Sequence, residues 1–368
     1  MPSRRAFLKD IVGAGGIMFV GCGLADVAAH AVQARNGGRR APVTLKGRRI
    51  RTVDIHAHCV VARATELLNR PVNLAGAHRL DGQAVADRVA VMDAQGIDLS
   101  VLSILPNWYD VDRDLATELI KVQNEGLAEF CASHAERFAA LATVALQFPD
   151  LAAQQLEQGM KQMGLRGVAI GGSVSGQELS DPKFHPFFAK AEELGAVVFI
   201  HPQGTAVPND LNMRLKGNGP LGVTVWHPLE TTIALTHLIF EGTLDRFPGL
   251  KICAAHGGGY LPSYMNRSDR GCQVFPEQCQ PGVPKKHPTE YVKRMYYDSL
   301  VFTPEGLRHL VAEVGAQHVL MGTDYPFPWV SDPVGHILKT PGLSDADREA
   351  MLGGTAAKLF GLGAPALR

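Results

Sequence analysis

Apolar runs and amphipathic segments alternate along the chain from Arg51 onward. The apolar runs are short and predict eight strands, at Arg51–His56, Leu99–Leu105, Phe138–Leu146, Leu165–Ile170, Ala196–His201, Lys251–Ala255, Met295–Ser299 and His318–Gly322. Between the strands, apolar residues recur at helical spacing, as at Val85, Val89 and Met92. Strands that alternate with helices favour right-handed βαβ units and a parallel sheet.

Eight such units predict an α/β fold, a closed (β/α)₈ barrel of the TIM type. A doubly wound open sheet is the alternative, but no G-x-G-x-x-G follows the first strand, so a dinucleotide site lacks its main element. Two longer segments are predicted to be loops, Gln203–Val225 after the fifth strand and Ser268–Thr289 after the sixth. Loops that leave the carboxyl ends of barrel strands build active sites.

Composition excludes several classes of protein. Lys and Arg together number 36, as do Asp and Glu, so the formal net charge is zero. That balance argues against nucleic acid as the main partner. Apolar residues make up 46% and charged residues 20%, which is a globular composition. No internal stretch reaches the ~20 apolar residues that a membrane span needs.

The first residues resemble an export signal. Ser3–Lys9 reads Ser-Arg-Arg-Ala-Phe-Leu-Lys, which matches the twin-arginine motif, and Ala29-His30-Ala31 fits a cleavage site. We expect residues 1–31 to be a signal peptide, 32–50 a linker and 51–368 the barrel, exported to the periplasm. Gly21-Cys22 leaves open a lipid anchor on Cys22. Cys272 and Cys279 could form a disulfide after export, and two free thiols are the open alternative.

Polar side chains stand at the carboxyl ends of several predicted strands. His56 and His58 end the first strand and its extension, His201 ends the fifth, and His256 and Asp324 follow the sixth and eighth. Alternate residues of a strand share a face, so the first two imidazoles can both point into the barrel mouth. Converging buried ionisable groups need a shared partner, because an unpaired buried charge is costly. A divalent metal ion is the simplest partner for such histidines.

In their sequence contexts, these residues resemble a known family. The carriers of the resemblance are His56-Ala57-His58, Ile200-His201-Pro202, His256-Gly257-Gly258-Gly259 and Gly322-Thr323-Asp324-Tyr325-Pro326, supported by Val101–Ser103, Pro228–Thr232 and Tyr297–Ser299. Together they resemble the amidohydrolase superfamily, and within it the branch of aminocarboxymuconate-semialdehyde decarboxylase and related aromatic-acid decarboxylases. The resemblance runs from Arg51 to Leu362.

The resemblance implies one divalent metal ion, usually zinc, held by His56, His58, His201 and Asp324. It implies that His256 is the catalytic acid/base, and Asp324 could also shuttle a proton. Binuclear members of the superfamily bridge two metals with a carboxylated lysine in the middle strands. Neither the predicted fourth strand nor the strand leading to His201 contains a lysine, so we expect a mononuclear site with an open position.

The resemblance also implies a homodimer, in which Arg267 reaches a substrate carboxylate across the interface. Arginine suits this role because its planar fork binds carboxylate bidentately. A second carboxylate-binding arginine has three candidates, Arg63, Arg70 and Arg79. The aromatics near strand ends could wall a pocket for a planar ring or pack in the core: Trp226, Trp108, Tyr109, Tyr325, Phe327 and Trp329. His227, beside Trp226, is the one further histidine left open as a site residue.

Three functions compete. The first is non-oxidative decarboxylation of a small unsaturated or aromatic carboxylic acid, which needs neither flavin nor nicotinamide. The second is hydrolysis of an ester, lactone or amide on the same metal site, and the third is a non-catalytic metal-binding barrel. The ligand set does not separate the first two, because both require an open mononuclear site.

Overall fold

The computed structural model describes residues 42–68, 78–203 and 209–363. The predicted signal peptide, Cys22 and the first part of the predicted linker lie outside these residues. The barrel strands in chain order are β1 Val53–His58, β2 Leu99–Ser103, β3 Phe138–Ala140, β4 Val168–Gly171, β5 Val197–His201, β6 Lys251–Ala254, β7 Tyr296–Asp298 and β8 Val319–Leu320. All eight predicted strands are therefore present.

The strands belong to two parallel sheets that meet at two seams. β1 to β3 form a three-stranded sheet, and β4 to β8 form a five-stranded one. At one seam Ala142, beyond β3, pairs with Val168 of β4. At the other, Ala57 pairs with Tyr325, and the Ile55 N–H donates to the Met321 carbonyl at 2.9 Å. The arrangement agrees with the predicted TIM-type α/β barrel.

The third strand is shorter than the sequence predicted. The prediction extended it to Leu146, but regular pairing ends at Ala140. The N–H groups of Leu141 and Ala142 still donate to backbone carbonyls, but beyond them side-chain amides accept the backbone hydrogen bonds. The Thr143 N–H donates to Asn124 Oδ1 at 2.8 Å, and the Ala145 N–H donates to Gln155 Oε1 at 2.8 Å. The rest of the apolar run therefore continues as buried chain outside the regular sheet.

Helices cover the outside of the barrel. In the described residues the α-helices are Ala62–Leu67, Gly82–Ala94, Arg113–Ser133, Pro149–Gln162, His185–Glu193, Asn209–Arg214, His227–Phe240, Thr243–Arg246, Leu261–Val274, Pro288–Val292, Pro304–Val314, Pro333–Lys339, Asp345–Glu349 and Thr355–Leu359. None of these helices combines the length and apolar character that a membrane span requires.

Both predicted long loops are partly helical, which corrects the sequence prediction. The first contains Asn209–Arg214 and a π-helical turn at Gly222–Trp226. The second begins only after Val274, because the helix that starts at Leu261 continues that far. Leu261 and Met265, one helical turn apart, are both buried and give this helix an inward face. Cys272 and Cys279 form a disulfide at its end.

The strands separate an inner core from an outer one. Along β5, Val197 and Phe199 belong to the inner cluster, whereas Val198 and Ile200 belong to the cluster beneath the helices. Side chains alternate between the two faces of a strand. His201 comes next on the inner face, at the carboxyl end of β5. The barrel therefore directs this histidine toward its own mouth.

Candidate metal centre

Two histidines of β1 meet at the carboxyl end of the barrel. The register between β1 and β2 shifts between Asp54 and Ala57, and such an irregularity re-aims the side chains beyond it. Ile55 packs in the inner core. His56 and His58, both buried, bring their Nε2 atoms within 3.0 Å of each other. Two imidazole nitrogens that face each other this closely need a shared proton or cation.

Asp324 lies against both of these histidines. Its Oδ1 atom is 2.7 Å from His58 Nε2 and 3.2 Å from His56 Nε2. Its φ angle is 59°, in the left-handed region that aspartate and asparagine tolerate better than most residues. Its N–H donates to the His56 carbonyl at 2.8 Å. The backbone thus holds the carboxylate at the end of β8, over the first strand.

His201 faces the same point from β5. Its ring centroid is 5.1 Å from that of His56 and 4.7 Å from that of His58. Its Nδ1 atom lies 2.7 Å from the Pro202 carbonyl oxygen, which can only accept, so Nδ1 carries the proton. Its Nε2 atom is buried and has no hydrogen-bond partner among the described residues. That nitrogen is free to ligate a metal ion.

His256 completes the cluster. Its φ angle is 55°, and its Nε2 atom lies 3.6 Å from Asp324 Oδ2. Ligand atoms of His56, His201, His256 and Asp324 all lie within 4.8 Å of one another. The structure thus brings the four predicted ligands and the predicted acid/base together, and their separate roles stay predictions. Imidazole nitrogens around one carboxylate, with a buried unpartnered Nε2, fit a single divalent ion.

Charge is distributed unevenly within the cluster. Burial disfavours the charged form of His56, but Asp324 and Asp298 outweigh it and raise its pKa to about 10. Burial lowers the pKa of His58 to about 4 and that of His201 well below its usual value. Burial opposes ionisation of Asp324, but His56 and the other histidines hold its pKa well below the usual range. The cluster therefore favours positive charge beside His56.

Asp298 is a site residue whose role the sequence did not reveal. This fully buried carboxylate of β7 lies 2.6 Å from His56 Nδ1 through Oδ2. The same oxygen accepts from the His256 N–H at 2.7 Å, while Oδ1 accepts from the Gly257 N–H at 2.8 Å. In the sequence, Tyr297–Ser299 only supports the family resemblance. Asp298 orients both the His56 ring and the backbone of His256.

The predicted substrate-binding residues are not part of the cluster. Arg267 is exposed on Leu261–Val274 and makes no hydrogen bond or ion pair within the described residues. Trp226 is 4% exposed. Of the other arginines, Arg79 is paired with Asp81, Arg63 is exposed, and Arg70 lies outside the described residues. The carboxylate-binding roles of these residues stay predictions.

The aromatic residues divide between core and mouth. Trp108 is fully buried and donates to the Val144 carbonyl at 3.0 Å, so it packs in the core. Phe327 is 41% exposed, with its ring centroid 6.2 Å from that of His58. The half-buried His227 stacks on His256 at 6.1 Å, with 19° between the ring planes. Burial lowers the pKa of His227 to about 4, so it is a neutral group beside the cluster.

Known proteins resemble the chain over most of its length. Residues 53–362 match the family model described as amidohydrolase. The 2-amino-3-carboxymuconate-6-semialdehyde decarboxylase of Dictyostelium discoideum is 33% identical over 282 residues, which cover 75% of this chain and 76% of that protein. A gamma-resorcylate decarboxylase of Polaromonas sp. is 30% identical, with 75% of this chain and 86% of that protein covered.

Solved structures agree with this pattern. The 5-carboxyvanillate decarboxylase of Sphingomonas paucimobilis superposes with a TM-score of 0.75 at 25% identity, covering 85% of this chain and 100% of that one. A dihydroxybenzoic acid decarboxylase of Polaromonas sp., whose structure contains manganese, superposes with a TM-score of 0.71 at 25% identity. It covers 85% of this chain and 97% of that one.

Proposed function

Because the chain belongs to the amidohydrolase family and is a carboxy-lyase of that superfamily, we propose that it decarboxylates a small aromatic or unsaturated carboxylic acid without oxidation. The observation that carries the proposal is the convergence of His56, His201, His256 and Asp324 within 4.8 Å at the carboxyl end of the barrel. Active sites of such barrels lie at this end. The similar proteins described above, all decarboxylases of unsaturated or aromatic acids, support the substrate class.

One divalent ion would be held by His56, His58, His201 and Asp324. When bound, it would supply a Lewis acid for substrate oxygens and for charge that develops as the carbon–carbon bond breaks. We propose zinc, because three of the four donors are imidazoles, whereas manganese prefers oxygen ligands. Metal analysis of the purified protein, followed by reconstitution of the metal-free protein with each ion, tests the choice. Higher activity with manganese than with zinc would contradict it.

His256 is the residue we assign to proton transfer. When carbon dioxide leaves, the electron pair of the broken bond stays on the substrate carbon, which must then take a proton. The His256 Nε2 atom lies 3.6 Å from Asp324 Oδ2, so a proton on the imidazole has a carboxylate beside it. Asp298 holds the backbone of His256 through two adjacent N–H groups. The ring is therefore positioned at the mouth to donate to carbon.

The side chains at the rim suit a flat substrate. Phe327 presents an exposed ring edge-on to His58, and His227 lies parallel to His256. An aromatic acid bound beside these rings would meet the apolar face of Phe327 and the neutral imidazole of His227, with its carboxylate toward the cluster. We propose that Arg267 reaches the same substrate from a second copy of the chain. A homodimer by light scattering, and loss of substrate affinity in a monomeric variant, are the expected results.

The decisive experiment separates decarboxylation from hydrolysis. Metal-loaded protein is incubated with hydroxybenzoates, unsaturated acids, lactones and esters. We expect carbon dioxide release from an acid of the panel and no incorporation of ¹⁸O from water into its product. Lactone or ester cleavage with ¹⁸O incorporation, and no carbon dioxide from any acid, would instead assign a hydrolase. Metal binding without turnover of any compound would favour a non-catalytic barrel.

We also propose export by the twin-arginine route, with residues 1–31 as the signal peptide. The Ser3–Lys9 motif supports this, as does the half-buried Cys272–Cys279 disulfide, because disulfides persist in oxidising compartments. Replacing Arg4 and Arg5 by lysine should keep the protein in the cytoplasm, as fractionation and immunoblotting would show. Palmitate labelling of the wild type, absent in Cys22→Ser, would establish the alternative lipid anchor. Unchanged periplasmic protein in the double-lysine variant would contradict the export route.

A further inference from the structure

The peptide bond between Pro202 and Gln203 connects His201 to a buried carboxyl group. The Pro202 carbonyl oxygen accepts the hydrogen bond from His201 Nδ1 at 2.7 Å. The N–H of the same peptide unit belongs to Gln203 and donates to Glu230 Oε2, also at 2.7 Å. A peptide unit is planar and rigid, so a bond that fixes its N–H also fixes the direction of its C=O. Glu230 therefore acts on His201 through one peptide plane.

We propose that Glu230 is a positioning residue of the metal site, which holds the Pro202–Gln203 peptide so that His201 keeps its Nδ1–H tautomer and offers Nε2 to the ion. A neutral imidazole has one donor and one acceptor nitrogen, and the partner of one nitrogen decides which form is present. The inference rests on the metal site of the proposed function, but not on the reaction that the site performs.

The surrounding packing leaves Glu230 and Gln203 little freedom. Glu230 is 3% exposed. A Cβ atom on Gly172 would lie 2.9 Å from Glu230 Cγ, and one on Gly171 would lie 2.6 Å from Gln203 Cδ. The Gln203 side chain also donates to the Pro106 carbonyl at 3.0 Å. Gly171, the last residue of β4, and Gly172 therefore make room for Gln203 and Glu230.

A role in packing alone would not require a carboxyl group. Burying one costs free energy, whereas an apolar side chain of similar size would fill the same space without that cost. An oxygen acceptor at this position does what an apolar group cannot, since it satisfies the buried Gln203 N–H and fixes its direction. Variants that keep or remove the oxygen acceptor therefore test the proposal.

Two variants distinguish a role as hydrogen-bond acceptor from a role in packing alone. Glu230→Gln keeps an oxygen acceptor of the same length, and Glu230→Leu keeps apolar bulk without the acceptor. Glu241→Gln, just beyond the end of the same helix and bonded to Ser180 rather than to the site, is the matched control. Two measurements are made on metal-free protein: the tautomer of His201 by ¹⁵N-histidine NMR, and zinc affinity by competition with a chromophoric chelator. Neither measurement uses turnover.

In Glu230→Leu we expect a loss of the Nδ1–H signal of His201 and zinc affinity weakened by about 10- to 100-fold, the usual range for residues that orient a ligand. Glu230→Gln and the control should keep the tautomer and the affinity of the wild type. If Glu230→Leu does not fold, Glu230→Ala, which removes the acceptor without adding branches, is measured in its place. The proposal is overturned if the folded acceptor-free variant keeps both properties, or if Glu230→Gln loses them as fully. Wild-type protein that binds no zinc would instead contradict the proposed metal site, while the tautomer measurement would still decide the role of Glu230.

Discussion

The two sides of the metal cluster hold their histidines in different ways. On the β1 side, His56 Nδ1 lies 2.6 Å from a buried carboxylate, Asp298, with no atom between them. On the β5 side, His201 Nδ1 donates to a backbone carbonyl, and the carboxyl group of Glu230 is one peptide plane away. Each histidine thus has its Nδ1 atom engaged and turns Nε2 toward the cluster, the first beside a charged group and the second beside a neutral dipole.

The difference shows in the charge that each side supports. Asp324 and Asp298 raise the pKa of His56 to about 10 against the effect of burial, whereas burial lowers the pKa of His201 well below its usual value. Two carboxylates thus favour positive charge on His56, whereas burial keeps His201 neutral. Two strongly basic histidines would hold two protons and repel the ion, so the asymmetry favours one cation in the cluster.

The largest expected effect comes from His256, which lies between the two sides. Its ring centroid is 5.3 Å from that of His56 and 5.1 Å from that of His201. His256→Asn should lower kcat by about 10²- to 10⁴-fold, the usual contribution of general acid–base catalysis, while metal content stays unchanged. Asparagine is chosen because it tolerates the left-handed φ at this position. Steady-state kinetics with metal analysis tests this, and full activity would refute the acid/base assignment.

The next effect concerns the β5 side and depends on pH. Burial raises the pKa of Glu230 from 4.5 to about 8, so the folded state binds its proton more tightly than the unfolded chain does. The contribution of Glu230 to the free energy of unfolding therefore falls as pH rises through this window, at about 1.4 kcal/mol per unit of pKa difference. Glu230→Gln cannot titrate and should lose this decline, amounting to a few kcal/mol. Urea unfolding of the metal-free proteins at both ends of the window measures it, and parallel pH profiles would contradict it.

A smaller effect is expected from the direct carboxylate of the β1 side. Asp298→Asn replaces one accepting oxygen by a donor, although His56, His256 and Gly257 all require acceptors there. Zinc affinity should fall about 10- to 100-fold, whereas the corresponding amide at Glu230 should leave it near the wild-type value. Competition titration compares the two variants directly. Equal losses of zinc affinity in the two variants would contradict the contrast between a charged support for His56 and a neutral support for His201.

The smallest effect is expected outside both sides. Arg267 is exposed and makes no ion pair within the described part of the chain, so its contact with substrate would be a solvent-screened one. Arg267→Ala should raise KM by up to about fivefold, since exposed ion pairs contribute up to about 1 kcal/mol. Zinc affinity should not change. An unchanged KM in a verified dimer would remove Arg267 from the substrate site.

The sequence predicted those features that local patterns determine. Short apolar runs located all eight strands, and polar residues at strand ends located His56, His58, His201, His256 and Asp324. It failed where distant side chains decide, as at β3, which Asn124 and Gln155 end early. It did not assign Asp298, although this residue also lies at the end of a predicted strand, because its bonds to His56 and to the backbone of His256 form only in the folded barrel. The sequence does not reveal the proposed role of Glu230 either, because Glu230 contacts His201 only indirectly, through the Pro202–Gln203 peptide.

The two seams of the barrel predict that metal binding would strengthen the contact between the two sheets. His56 and His58 belong to the three-stranded sheet and His201 to the five-stranded one, and isolated bridges join the sheets. An ion on these ligands would fasten the sheets together at the rim. By mass action, binding at a hundred times Kd adds about 2.7 kcal/mol to the resistance against unfolding. Loading the ion should therefore slow deuterium uptake at the seam amides of Ile55 and Ala142 more than at amides on the outer helices.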